Sequence, residues 1–147
     1  MGRRLEVLRV LVVDDDDLLM ADAGSMQDPA IAFASLSPQQ ALASQGSFSD
    51  RDVVVVGVDS PAGLELVAKL CERPGMPPVI ALGGKGAPGK PLEHVLVLAE
   101  LRGAALSLPK PIDAAELVLA AIELIQRRPG TGDYSMIAKE LERRLAW

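Results

Sequence analysis

Two consecutive carboxylates, Asp14 and Asp15, stand where one apolar run ends, and a lysine, Lys110, stands where another ends. Carboxylate pairs suit Mg²⁺, which favours oxygen ligands in a near-octahedral shell. An ammonium beside them can instead compensate them as an ion pair. Both readings stay open: Asp14 and Asp15 hold a divalent cation weakly, or Lys110 alone balances them. Asp16 and Asp17 prolong the run and suit the positive start of the helix that follows. Four adjacent aspartates also read as a solvated charge run.

Other reactive side chains support little chemistry. Gly84 to Lys90 has the glycine and lysine spacing of a phosphate loop, but Pro91 stands where Ser or Thr would hold Mg²⁺. The Gly83 to Pro91 loop therefore reads as a glycine-rich extension or a partner contact, with nucleotide or small-ligand binding as an alternative. His94 has no Cys or His cluster around it and reads as a surface or half-buried residue. Cys71 reads as a small buried residue. Ser35, Ser37, Ser44 and Ser47 have no histidine at usable spacing, which excludes a hydrolase triad.

The elements that position these residues alternate. Residues 7–13 form a nearly continuous apolar run, the pattern of a strand buried on both faces of a parallel sheet. A short helix is expected over 18–26 and a strand over 31–34. Ser37-Pro38 then opens a helix through Ala43 as cap and first-turn proline. Residues 52–59, with four consecutive valines, give the strongest strand signal. Ser60-Pro61 opens the next helix, ending near Cys71. Further elements are a strand at 79–82, a helix at 92–101, a strand at 105–108 and a helix at 112–128. Alternation of this kind calls for a parallel sheet with helices on both faces. Its chemistry then collects at the carboxyl ends of the strands, which are Asp14–Asp17, Gly57–Asp59, Gly83–Gly84 and Lys110.

Bulk properties narrow the class. The 147 residues suit one domain with a short tail. Aromatic residues make up only 3%, so the core must be aliphatic. A net charge of −5 argues against a nucleic-acid surface. No apolar stretch is long enough to span a bilayer, and no secretory signal is visible. Glu6 argues against myristoylation of the Met-Gly start. One cysteine excludes an internal disulfide and fits a cytoplasmic setting.

From residues 7 to 128 the chain resembles the receiver domains of two-component response regulators. Arg9-Val10-Leu11-Val12-Val13-Asp14-Asp15-Asp16 resembles the first strand with its acidic pair. Asp52 to Pro61 resembles the third strand and its turn, and Pro78-Val79-Ile80-Ala81-Leu82 the fourth strand. Gly103-Ala104 followed by Lys110-Pro111 resembles the fifth strand with the family's lysine. The resemblance implies a five-stranded parallel sheet in flavodoxin-like order 2-1-3-4-5, helices on both faces and a C-terminal helix. It also implies that a carboxylate pair, an acceptor aspartate, Mg²⁺ and the lysine meet around a phosphoryl group.

Aligned this way, the acceptor position, four residues before Pro61, is Gly57. Glycine offers neither nucleophile nor side-chain ligand. The hydroxyl position after the fourth strand is Gly83, and the aromatic switch position is Ser107. The expectation is a pseudo-receiver, not an enzyme, needing no cofactor and binding Mg²⁺ weakly if at all. It would act on a protein partner: a kinase, another regulator or an output domain. The resemblance implies that the face of the fourth helix, fifth strand and fifth helix serves. The alternative is a phosphorylatable receiver using Asp59, which otherwise reads as a solvated residue before the Ser60 cap.

Residues 1–128 would form the domain and 129–147 a linker and tail helix. After Pro129-Gly130, Tyr134, Ile137, Leu141 and Leu145 share one face of that helix. It either docks on its own domain, forms a homodimer or partner surface, or leads into an output domain.

Overall fold

The computed structural model describes residues 7–15, 18–26, 28–44, 48–84, 91–127 and 134–145. Five strands, β1 (Leu8–Val13), β2 (Ile31–Leu36), β3 (Val53–Gly57), β4 (Val79–Gly83) and β5 (Leu106–Pro109), pair in parallel in the order β2-β1-β3-β4-β5. This is the expected flavodoxin-like sheet. In its register Val13 lies beside Leu36 and Val56, Gly57 beside Leu82, and Gly83 beside Pro109. The carboxyl ends of the strands therefore come level at one edge.

Alternation along each strand divides the core in two. Leu8, Val10, Val12, Val53, Val55, Ile80 and Leu82 pack toward α1 (Leu18–Met26) and α5 (Ala114–Gln126). Leu11, Val13, Val54, Val56, Val79 and Ala81 pack toward α2 (Pro38–Ala43), α3 (Pro61–Cys71) and α4 (Leu92–Leu101). Each fully buried valine or leucine contributes about 1.5–3 kcal/mol, so the strand valines anchor the helices on both faces. Phe48, just ahead of β3, is among the largest fully buried side chains and belongs to the second core. Its single aromatic ring in a polar stretch carries no periodic signal.

The helix starts follow the local chemistry. Ser37 and Gln40 form a reciprocal capping box, with Ser37 Oγ accepting from Gln40 N at 3.2 Å and Ser37 N donating to Gln40 Oε1 at 3.0 Å. Ser60 Oγ accepts from Gly63 N at 3.3 Å ahead of Pro61. α5 is capped differently. Its N-cap residue Asp113 makes no side-chain cap bond, and Asp22 of α1 accepts from Ala114 N at 2.6 Å. A carboxylate from a neighbouring helix thus meets the positive end of α5.

In α1, a β-carbon added at Gly24 would meet nothing within 4 Å. Gly24→Ala is therefore expected to raise stability by about 0.5–1 kcal/mol, read from the denaturant midpoint. An unchanged or lowered midpoint would contradict the open helical environment.

The tail helix α6 (Ser135–Leu145) docks on its own domain, with Tyr134, Ile137 and Leu141 buried in the α1/α5 core. Met136 stays exposed on its outer side. Cys71 is exposed at the end of α3, which corrects the expectation of a buried residue. The apolar face of α3 is carried by Leu64, Leu66, Val67 and Leu70, which leaves Cys71 outside it. His94 is exposed on α4. Among the described residues no helix is long and apolar enough to cross a membrane.

Candidate functional site

At the level strand ends, Asp14 follows β1, Gly57 closes β3, Gly83 closes β4 and Lys110 follows β5. Lys110 N donates to Gly83 O at 2.9 Å, which sets the lysine against the end of β4. Its side chain crosses Gly84, where an added β-carbon would lie 3.0 Å from Lys110 Cβ. The ammonium then reaches Asp14 Oδ2 at 2.5 Å and Asp59 Oδ2 at 3.5 Å. All three side chains are largely withdrawn from solvent, at 10% exposure for Asp14, 15% for Lys110 and 23% for Asp59. Burial reduces the screening such a cluster would feel at the surface.

Asp14 turns over Gly57. A β-carbon built at Gly57 would lie 2.4 Å from Asp14 Oδ1, 2.5 Å from Cγ and 2.8 Å from Oδ2. The carboxylate therefore occupies the space that any side chain at position 57 would need. At Gly83 the room is also taken, since a β-carbon there would lie 3.0 Å from Leu92 Cδ1 and 3.2 Å from Leu96 Cδ2. α4 packs apolar side chains down onto the strand end. Ser107 is half-buried in β5, whose neighbours Leu106 and Leu108 face the α1/α5 core. By alternation Ser107 lies on the α4 side.

Of the two candidate carboxylates, only Asp14 meets Lys110; Asp15 is exposed. Asp16 and Asp17 lie outside the described residues, as do residues 85–90 of the glycine-rich loop. Asp59 is drawn into the cluster. Gly84 N donates to its Oδ1 at 3.0 Å and Oδ2 at 3.2 Å. The available signal was position: Asp59 lies two residues past Gly57, on a turn beside the end of β4.

The Mg²⁺ that the resemblance implies does not fit these residues. Gly57 brings no side-chain oxygen, Asp14 is paired with Lys110, and the described residues hold no group of three His, Cys, Asp or Glu able to bind a metal. The ammonium supplies the compensating charge from within the chain. Lys110→Met would leave two shielded carboxylates without that cation, and an expected loss of about 2 kcal/mol follows, below the range for fully buried pairs. Chemical denaturation would read it, and a change within error would mean the ion pairs contribute nothing net.

No protein-family profile matches the chain, and no curated protein matches it. Solved structures do. NtrX from Brucella abortus, in complex with ADP, aligns at 23% identity and a TM-score of 0.64 over 95% of this chain. The chain spans 28% of the length of NtrX. A putative response regulator from Chloroflexus aurantiacus J-10-fl aligns at 22% identity and a TM-score of 0.65, covering 83% of this chain and all of its own (100%). The receiver domain of the Francisella response regulator 1452 aligns at 23% identity and a TM-score of 0.63, covering 80% of this chain and 96% of its own. With its strand order, its two helical layers and these structural neighbours, the chain has the fold of response-regulator receiver domains.

Proposed function

We propose that this chain is a receiver-type module of two-component signalling that works without a phosphorylated aspartate and acts by binding a protein partner. One observation carries the reading: the Asp14 carboxylate, paired with Lys110, fills the space above Gly57 where an acceptor side chain would stand. A domain built this way has no covalent input at that position. Its output then depends on how much partner is present and on which conformation that partner prefers.

A kinase, another regulator or an output domain would be such a partner, with a second copy of the chain as the alternative. On the α4 side, Val97 and Leu101 lie one turn apart and are 53% and 79% exposed. That favours the face of α4, β5 and α5 as the contact surface. Phosphorylation at Asp59 is the weaker reading, because both of its oxygens already accept from Gly84 N.

Intact-mass measurement after incubation with a small-molecule phosphodonor and Mg²⁺ tests this. The native chain is expected to stay unmodified. Gly57→Asp, run beside it, must first push Asp14 aside; gain of one phosphoryl group by the variant alone would support the alignment of position 57. A phosphoryl group on the native chain would overturn the proposal, and fragment mapping would locate it.

A further inference from the structure

Asp59 has two conventional roles available to it, a solvated turn residue or a substitute acceptor, and its contacts suit neither. Gly84 N donates to both carboxylate oxygens, at 3.0 and 3.2 Å, and Lys110 Nζ lies 3.5 Å from Oδ2. A lysine ammonium and a backbone N–H converging at a strand end make a cradle for an anion. We infer that Asp59 is a built-in anion filling this cradle, so that Gly84 at the end of β4 is held by a carboxylate of the same chain and not by a transient phosphoryl group. The inference rests on the proposed absence of phosphorylation.

The mechanical consequence follows from the connections. Asp14 belongs to the turn after β1, Asp59 to the turn after β3, Gly84 to the turn after β4 and Lys110 to the turn after β5. The ammonium ties the first, second and fourth of these together, and the Asp59–Gly84 bonds add the third. Lys110 N also donates to Gly83 O, which fixes the same corner through the backbone. Gly83 offers no hydroxyl, and Leu92 and Leu96 of α4 pack over it. The end of β4 is therefore held by groups of this chain, with Leu92 and Leu96 of α4 set against it.

The test compares native protein, Asp59→Ala and Asp59→Asn by amide hydrogen exchange at Gly84 and by thermal melting during a titration with inorganic phosphate. Sodium chloride at matched ionic strength is the control. Asp59→Ala is expected to exchange at Gly84 about tenfold faster, the loss of one charge-assisted hydrogen bond. With the cradle vacated, phosphate is expected to raise the melting temperature of Asp59→Ala and to leave the native protein unmoved. Asp59→Asn, which keeps an acceptor oxygen without the charge, should exchange at a rate between the two, and it decides the matter if the alanine variant does not fold. Gly84 exchange unchanged in both variants overturns the inference. So does a phosphate response that is absent from Asp59→Ala or equally large in the native protein. Those results leave the phosphodonor experiment untouched, since it reads modification of the native chain alone.

Discussion

Gly63→Ala is expected to cost about 3 kcal/mol or more of folding stability, the upper end for overpacking. A β-carbon at this position would lie 1.9 Å from the carbonyl oxygen of Gly57, 3.0 Å from its carbonyl carbon and 3.3 Å from Val58 Cα. All three are backbone atoms, so no rotamer change can make room. Either the first turn of α3 lifts or the end of β3 shifts. Both movements disturb the site, because Asp59 and the Ser60 cap lie between the two glycines. The variant should therefore lose stability and also release Gly84 from Asp59. Guanidinium denaturation gives the first effect and amide exchange the second. Gly24→Ala makes the same chemical change in open space and is expected to shift stability the other way. A loss below about 1 kcal/mol for Gly63→Ala would mean that α3 does not approach β3 this closely in solution.

Leu141→Ala comes next in size, with an expected loss of about 2–5 kcal/mol. Leu141 has no exposed surface and lies with Tyr134 and Ile137 in the core shared by α1 and α5. An isolated helix of this length is marginal in water, so its order comes from that docking. Met136 on the same helix is 75% exposed, and Met136→Ala should stay within about 0.5 kcal/mol of the native protein. Thermal or denaturant unfolding of the pair separates two accounts of the tail. If Leu141→Ala behaved like Met136→Ala, α6 would be a free lead-in or partner helix and not a part of this core.

Much of the scaffold was legible because its signals are local. Four successive valines before Gly57 fit a strand covered on both faces, and Ser37-Pro38 and Ser60-Pro61 mark helix starts through caps and fixed backbone angles. These elements appear within one or two residues of the expected positions. β2 runs two residues further, to Leu36, and the fifth strand begins at Leu106 instead of Ala105. The helix expected over 112–128 runs Ala114–Gln126, with Arg127 at its C-cap, and Arg128 lies outside the described residues. The tail showed an amphipathic face, but periodicity alone could not say what would cover it.

Which residue types reach the strand ends can be read from the chain alone: a carboxylate after β1, glycine at position 57, glycine at position 83 and a lysine after β5. That followed from strand polarity, since parallel strands present their carboxyl ends on one side. How those residues meet is a property of the folded chain. Asp14 and Lys110 stand near opposite ends of the domain's sequence and pair because β1 and β5 are held level through β3 and β4. Asp59 joins them through a turn whose direction no local pattern specifies, and Asp22 caps α5 from 92 residues earlier in the chain. Side-chain periodicity encodes the face a residue takes within its own element. The contact between ends of different elements depends on register and packing summed over the whole sheet, and that sum exists only in the folded chain.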